Sequence, residues 1–231
     1  MCNLYKMTKT VAEVAKLFGA AADRPGNAGD TVYPGYPGIV VAPDGAGLRV
    51  RQMVWGFPLV LKGKNGQPQG KQPKPKPVNN CRTDKLDSFM WRYSFQERRC
   101  LIPVTAFCEA EGEKGAKTRT WFSLPDEELF AVAGIWRDTA EWGAAYSMVM
   151  TEACEHVAGV HDRMPAILPT AEAEAAWLDP RLSTEDAIAM CGPLDARRMH
   201  GEPANPALNK VGKGMAEGPE LLVAPQEQLD V

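Results

Sequence analysis

Short apolar runs separated by turn residues constrain the fold of this 231-residue chain more than any other feature. The runs are rich in β-branched and aromatic residues, and turns containing Gly, Pro or Asp bound them. In chain order they read GIVVAP, GLRVRQMVWGF, RCLIPVTAFCEA, RTWFSL, ELFAVAGIWRD and AYSMVMT. This pattern predicts an α+β fold, a single domain with a mainly antiparallel β core and flanking helices.

Helical spacing is confined to a few segments. Residues 10–20 show it, with Thr10 as the expected N-cap, and the strongest pattern runs from 83 to 99. We expect one stripe of the 83–99 helix to face the core; its members are Leu86, Phe89, Met90 and Tyr93. Two further helices are expected late in the chain, in TAEAEAAWL and STEDAIAM.

The domain is expected to cover residues 1–222, with a tail over 223–231. Within it, the Lys-, Pro- and Gly-rich stretch 62–77 predicts a loop without regular structure, and the chain turns irregular again from residue 200. The first ten residues lack the apolar core of a signal peptide, and the longest apolar run, MVWGFPLVL, is about half of a membrane span. We therefore expect a cytoplasmic protein without a membrane partner, and a monomer by default.

Charge and cysteine patterns narrow the function classes. Residues 49–99 carry twelve basic and three acidic groups, although the whole chain has a net charge of −3. Such a segment predicts a local anion-binding face, while a solvated loop with scattered lysines is the alternative. The six cysteines show neither a CxxC motif nor regular spacing, which disfavours a zinc site and a disulfide scaffold. We expect mostly buried free thiols and no cofactor.

Cys2 has a chemical property that no internal residue shares. Removal of Met1, which is favoured by a small second residue, leaves an α-amine and a thiol on one carbon. The thiolate can attack an acyl carbon with the amine as nearby base. Alternatively, the amine can condense with an aldehyde, after which the thiol closes a five-membered thiazolidine ring. A third interpretation is that position 2 is incidental and its thiol inert.

Several polar residues are not explained by strand or helix periodicity. Asn80 and Arg82 lie in NNCRTD, just after the Lys-rich loop, where Asn79 and Asn80 also fit turn or capping positions. Glu109 interrupts an apolar strand, so its carboxyl lies either at a solvated strand end or in a partly buried pocket where a raised pKa suits proton transfer. His161, in VAGVHDRMPAIL, is the candidate proton shuttle, with a structural role as the alternative.

These motifs together resemble a known family. MC at the N-terminus, YPGYPG, AP, VWGFP, NCR, RRCLIPVTAFCEA, GIW and HDRMPAIL follow one another in the order and spacing of the SRAP family, the SOS response-associated peptidases. The resemblance runs from Cys2 to about Leu222. It implies a sensor of abasic sites in single-stranded DNA, whose N-terminal amine forms a Schiff base with the ring-opened sugar aldehyde. The thiol then closes a thiazolidine, and this covalent crosslink shields the lesion.

The same resemblance implies residue roles by motif. Cys2 is the nucleophile, Asn80 positions the N-terminus and the sugar, Glu109 is the acid/base near the α-amine, and His161 assists opening of the sugar ring. The DNA-binding set consists of Arg82, Arg163, Trp55 and Pro43. The two arginines match residues that hold DNA phosphates, and Trp55 matches an aromatic that supports the splayed DNA junction by stacking.

The sequence departs from the family pattern in two places. The family commonly begins MCGR, whereas Asn3 and Leu4 follow the cysteine here, and Cys108 and Ala110 stand where an aromatic pair usually brackets the glutamate. Two other function classes stay open. A thiol peptidase or N-terminal-nucleophile amidohydrolase explains Cys2, whereas a noncatalytic binding module leaves it incidental.

Overall fold

The computed structural model describes residues 2–22, 30–60, 74–112 and 118–203 of the chain. The α-helices there are α1 (Val11–Leu17), α2 (Arg92–Glu97), α3 (Glu155–Ala158), α4 (Ala171–Leu178) and α5 (Thr184–Met190). The strands are β1 (Tyr5–Lys6), β2 (Ala21–Ala22), β3 (Thr31–Val32), β4 (Pro37–Asp44), β5 (Gly47–Trp55), β6 (Phe57–Leu59), β7 (Lys76–Val78), β8 (Asn80–Arg82), β9 (Arg99–Val104), β10 (Ala106–Glu111), β11 (Thr118–Ser123), β12 (Phe130–Thr139), β13 (Gly143–Glu152), β14 (Arg163–Pro165), β15 (Ile167–Leu168) and β16 (His200–Pro203). The expected boundary at 222 and 223 lies outside the described residues.

Five strands of the larger sheet close into a ring. The antiparallel path β13-β12-β9-β4-β5 returns to β13 through a parallel pairing of β5 with β13. One parallel pair is unavoidable, because five strands of alternating direction leave the first and last pointing the same way. β8 extends this sheet beside β13, and β14 pairs with the far end of β13. The prediction of an α+β fold with a mainly antiparallel core is confirmed.

The second sheet places the N-terminus against the middle of the chain. Its order is β16-β11-β10-β1-β3, and all four pairings are antiparallel. The apolar run RCLIPVTAFCEA is divided between the two sheets: β9 belongs to the ring and β10 to the second sheet. The chain turns at Thr105, whose backbone N–H donates to the carbonyl of Lys6 at 2.9 Å. This turn brings Glu109 beside the first residues of the chain.

Large aromatic side chains fill the core, and α4 closes one side of it. Trp177 of α4 is fully buried and donates its indole N–H to the carbonyl of Cys100 at 3.0 Å. Arg99 lies next to it, buried, with its guanidinium 5.7 Å from the Trp177 ring centroid and 2.5 Å from the carbonyl oxygen of Asp179. These contacts attach a helix to the ring of strands without leaving the buried arginine unsatisfied.

The helix predicted over 83–99 is wrong in extent. A 3₁₀ turn and then α2 occupy this segment. Its buried hydrophobic residues are Leu86, Trp91 and Phe95. One regular helix cannot bury both Leu86 and Trp91 on one face, since five residues span about 500° around its axis. Two members of the expected core stripe are exposed instead: Phe89 (91%) and Tyr93 (59%).

The other predicted helices are confirmed, and each begins at a side-chain cap. Thr10 forms a capping box with Glu13, Thr170 caps α4 and Ser183 caps α5. The longest helix among the described residues is α4, with eight residues, against about 20 needed to cross a bilayer.

Two segments expected to be irregular contain strands. Lys76–Val78 forms β7 and pairs with β6, although the expected loop reached residue 77; residues 62–73 of that loop lie outside the described part. His200–Pro203 forms β16 on the edge of the second sheet. Both strands contain proline, which an edge position tolerates because one side of the strand needs no donor.

Candidate active site at the N-terminus

The first described residues run beside β10, with Cys2 fully buried. The carbonyl oxygen of Leu4 accepts the backbone N–H of Cys108 at 3.1 Å and the thiol of Cys2 at 3.4 Å. The pairing of Tyr5 with Phe107 continues this alignment. The second sheet therefore holds the start of the chain in one position through main-chain hydrogen bonds.

Two adjacent asparagines hold the carbonyl of Cys2. The side-chain amide of Asn80 donates to this oxygen at 2.7 Å, and that of Asn79 donates to it at 2.9 Å. Asn80 lies in β8, which runs parallel to β13, and Asn79 directly precedes that strand. The contact between Asn80 and the N-terminus was expected. That of Asn79 was missed, because a turn or cap explained this residue in the sequence.

Glu109 supplies a buried carboxyl next to the N-terminus. Glu109 is only 2% exposed to solvent. Burial raises the pKa of Glu109 from its ordinary value of 4.5 to about 7; the charge of Asp162 acts in the same direction, while the terminal amine of the uncleaved chain and a hydrogen bond from it act against the shift. Of the two placements that the sequence left open, the structure has the buried one. A carboxyl with a pKa near neutrality can both give and take a proton at physiological pH.

The thiol of Cys2 is held in its neutral form. Its pKa is raised well above the ordinary range, first by burial and then by the negative charge of Glu109. Burial also raises the pKa of the neighbouring Cys108 thiol to about 12. The expectation that most cysteines are buried free thiols is confirmed for all six: Cys2, Cys81, Cys100, Cys108, Cys154 and Cys191.

His161 lies in the turn between α3 and β14, with its side chain 23% exposed. Its Nδ1 lies 2.9 Å from the backbone N–H of Arg163, which it accepts in the tautomer with the proton on Nε2, and 3.2 Å from the carbonyl of Arg163, to which it donates in the other tautomer. Asp162 Oδ1 lies 3.0 Å from the same Nδ1 and is the partner available to the protonated ring. The charge of Asp162 also acts on Glu109, where it raises the pKa of that carboxyl.

Arg82 and Arg163 lie on strands that flank β13. Arg82 pairs with Met150 on one side of β13, and Arg163 pairs with Glu152 on the other side. The two strands are therefore two spacings, about 10 Å, apart. The guanidinium of Arg82 is engaged by Asp84 through two hydrogen bonds, at 2.8 and 2.7 Å. These bonds use two of the five guanidinium N–H donors, so the others are available to a phosphate while Asp84 stays in place.

The two other residues of the expected DNA-binding set, Trp55 and Pro43, do not lie beside these arginines on the strands that flank β13. Trp55 is fully buried and donates its indole N–H to the carbonyl of Asn79 at 3.0 Å. A ring without an accessible face cannot stack on a base in this conformation, so the expected stacking role is corrected to a supporting one behind the asparagines. Pro43 is exposed near the tip of the β4–β5 hairpin, about 16 Å along β4 from Gly38.

Sequence reasoning also missed a tyrosine pair behind the site. The hydroxyls of Tyr5 and Tyr146 form a hydrogen bond, and both side chains are fully buried. The pKa of Tyr5 is raised by burial and also by the nearby Cys2. Gly38 lies against the pair, where an added Cβ would approach the two hydroxyl oxygens to 2.0 and 2.5 Å. Only the packing of β1, from the second sheet, against β4 and β13 of the larger sheet reveals this arrangement.

Comparison with protein families identifies the family. The model described as "SOS response associated peptidase (SRAP)" matches residues 1–211 of the chain. The chain belongs to the SRAP family.

Relatives of this SRAP chain carry one recurring name. The chain is 28% identical over 168 residues to "Abasic site processing protein HMCES" of Rattus norvegicus, covering 57% of the chain and 46% of that protein. It is 27% identical over 187 residues to "Abasic site processing protein YoqW" of Bacillus subtilis, covering 77% of the chain and 79% of that protein. The chain therefore spans about half the length of the rat relative.

Solved structures share the fold of the SRAP chain. A protein from Bacteroides thetaiotaomicron superposes with a TM-score of 0.72 at 22% identity, covering 88% of this chain and 92% of that one. A protein from Bordetella bronchiseptica gives a TM-score of 0.66 at 21% identity, with coverages of 88% and 100%. At these identities the likeness concerns the fold alone.

Proposed function

We propose that this SRAP chain processes abasic sites in single-stranded DNA by crosslinking to them through Cys2 after removal of Met1. The observation that carries the proposal is the buried carboxyl of Glu109, which has a pKa of about 7 and lies beside the N-terminus. The side-chain amide of Asn80 fixes this N-terminus by donating a hydrogen bond to the carbonyl of Cys2. The names of the relatives, abasic site processing proteins, support the same substrate.

The order of the chemistry follows from the protonation states. The thiol of Cys2 is neutral, whereas a free α-amine titrates near pH ~7.7–8.0, so the amine attacks first. Its nitrogen adds to the aldehyde carbon of the ring-opened sugar, and loss of one water leaves a Schiff base. The sulfur then adds to the imine carbon while the thiol proton moves to nitrogen. The product is a thiazolidine, and one water is released overall.

Glu109 and His161 divide the proton transfers. Glu109 in its ionised form takes a proton from the attacking amine, and in its protonated form it donates to the departing water. His161, whose Nδ1 is held by the backbone of Arg163, assists opening of the sugar ring. The Oδ1 atom of Asn80 is buried and has no hydrogen-bond partner among the described residues. It is available to accept from the freed amine or from a sugar hydroxyl.

We assign DNA contact to the two arginines at the edge of the site. Arg82 and Arg163 flank β13 and supply two guanidinium groups for phosphates on either side of the lesion. Binding through few phosphates is salt-sensitive and modest, so the covalent step provides the lasting attachment.

Hydrolysis by the Cys2 thiol is the second candidate, in keeping with the word peptidase in the family description. A cysteine nucleophile of that kind needs a lowered thiol pKa. Burial and Glu109 raise the thiol pKa of Cys2, which favours the amine-first reaction.

The test is a crosslinking assay with single-stranded DNA that contains one abasic site. Protein whose N-terminal Cys2 has been verified by mass spectrometry is expected to give a heat-stable shifted band. Cys2→Ser is expected to give no stable band, because its hydroxyl does not form the thiazolidine.

Cys108→Ser is the matched control, since this second thiol lies near Cys2 but has no α-amine. It is expected to crosslink as the parent protein does. No band from protein with a verified N-terminal Cys2 would contradict the proposal and favour hydrolysis, which an acyl substrate cleaved only in the presence of the Cys2 thiol would then establish.

A further inference from the structure

The side chain of Asn79 makes contacts that no role described so far requires. Its amide nitrogen donates to the carbonyl of Cys2 at 2.9 Å and lies 3.4 Å from Oδ1 of Asn3. Its backbone is fixed separately, because its carbonyl accepts the N–H of Met148 at 2.9 Å and the indole of Trp55 at 3.0 Å. Truncation of the side chain therefore leaves these backbone anchors in place.

The two amide donors on the Cys2 carbonyl affect the protonation of the α-amine on the same residue. A carbonyl oxygen has two lone pairs, and the amides of Asn79 and Asn80 occupy both at Cys2. A free ammonium group can donate to the carbonyl of its own residue, and here that acceptor is already taken. The positive ends of two amide dipoles also point at an atom three bonds from the amine nitrogen. Both effects disfavour the charged form of the amine.

The titratable groups around Cys2 come from several elements. Glu109 and Cys108 face it from β10, Tyr5 from its own strand and Tyr146 from β13. Asp162, in the turn before β14, acts on Glu109. When they are ionised, the carboxylates of Glu109 and Asp162 favour the charged form of the amine. The amide dipoles of Asn79 and Asn80 act in the opposite direction and offset part of this effect.

We propose that Asn79 is a positioning residue that holds the Cys2 carbonyl together with Asn80 and thereby keeps the α-amine neutral and directed for attack. This inference rests on the proposed function, since a neutral amine matters only if the amine is the nucleophile. Asn79 touches the carbonyl of the reacting residue and not the aldehyde, so it acts through Cys2.

Asn3 provides a matched control within the same contact. The family commonly has glycine at this position, and the Asn3 side chain is the second acceptor near the Asn79 amide. Asn3→Gly removes this acceptor and leaves the hydrogen bond from Asn79 to the Cys2 carbonyl available. Asn79→Ala and Asn3→Gly therefore separate the effect of the hydrogen bond to the Cys2 carbonyl from that of the contact between the two asparagine side chains.

The first experiment is an NMR titration of the amine in protein labelled with ¹³C at cysteine Cα, without DNA. Asn79→Ala is expected to raise the titration midpoint of Cys2 by about 0.5–1 pH unit, the size of one net hydrogen bond. Asn79→Asp has nearly the same shape but adds a negative charge, and it is expected to raise the midpoint further. Asn3→Gly is expected to leave the midpoint unchanged. Equal midpoints for all four proteins would overturn the inference.

The second experiment follows the crosslinking rate with abasic DNA between pH 6 and 9. At pH 6.5 the Asn79→Ala rate is expected to be about three- to tenfold below the parent rate, as the midpoint shift requires, and to recover near pH 9. A rate lowered by the same factor at every pH would mean a merely structural role and overturn the inference. If the parent protein forms no adduct, the proposed function fails, while the DNA-free titration still tests Asn79.

Discussion

Replacement of Glu109 by Gln tests the electrostatics of the site through stability. Burial raises the pKa of this carboxyl from 4.5 to about 7, so the native state binds more protons than the unfolded state between these values. The free energy of unfolding of the parent protein therefore falls as the pH rises through this window. Between pH 5 and 7.5 the loss is about 2–3 kcal/mol, since each unit of pKa shift corresponds to about 1.36 kcal/mol.

Glu109→Gln removes this pH dependence, because an amide does not titrate. Any fixed cost of burying the amide is present at both pH values and cancels in the comparison. Differential scanning calorimetry at pH 5 and 7.5 is expected to show the variant gaining roughly 4–12 °C in relative Tm as the pH rises. Glu111→Gln, a change on the same strand at a partly exposed position, controls for general effects of charge. A Tm difference between parent and Glu109→Gln that is the same at both pH values would refute the reasoning.

Two further predictions concern the packing behind the site. Gly38→Ala is expected to lower the free energy of unfolding by about 1–3 kcal/mol, because its Cβ would collide with the hydroxyls of Tyr5 and Tyr146. Gly47→Ala, whose added Cβ would meet nothing within 4 Å, is the control. Equal urea unfolding midpoints for the two variants would contradict this prediction. Trp55→Phe is expected to lower stability by about 1–3 kcal/mol through the lost indole hydrogen bond and volume, with salt-dependent affinity for undamaged single-stranded DNA unchanged. Weaker DNA binding at unchanged stability would restore a stacking role for this ring.

Strand pairing explains why the candidate site is assembled from distant parts of the sequence. Cys2 is aligned by β10, its carbonyl is held from the start of β8, and β14 begins just after His161. β8 and β14 both pair with β13. A site built on paired strands holds its groups more precisely than one built on loops, which suits the proposed reaction in two steps at one carbon.

The sequence by itself determined the longer strands, three of the helices and the chemistry available to the chain. Alternation and turn residues predicted the longer strands, Thr10 as an N-cap predicted where α1 begins, and only position 2 combines a thiol with a prospective α-amine. These are properties of single residues and local periods, so they can be read without knowing which segments meet.

Tertiary structure decided which of those groups meet and in what protonation state. Burial, a property of the whole fold, moved the pKa of Glu109 towards neutrality and placed the ring of Trp55 out of reach of DNA. The same run of apolar residues became two strands because two different sheets bury its halves, and the 83–99 helix broke because Leu86 and Trp91 both had to reach the core. Local patterns carry no information on such long-range contacts, since desolvation and packing depend on neighbours that are distant in sequence.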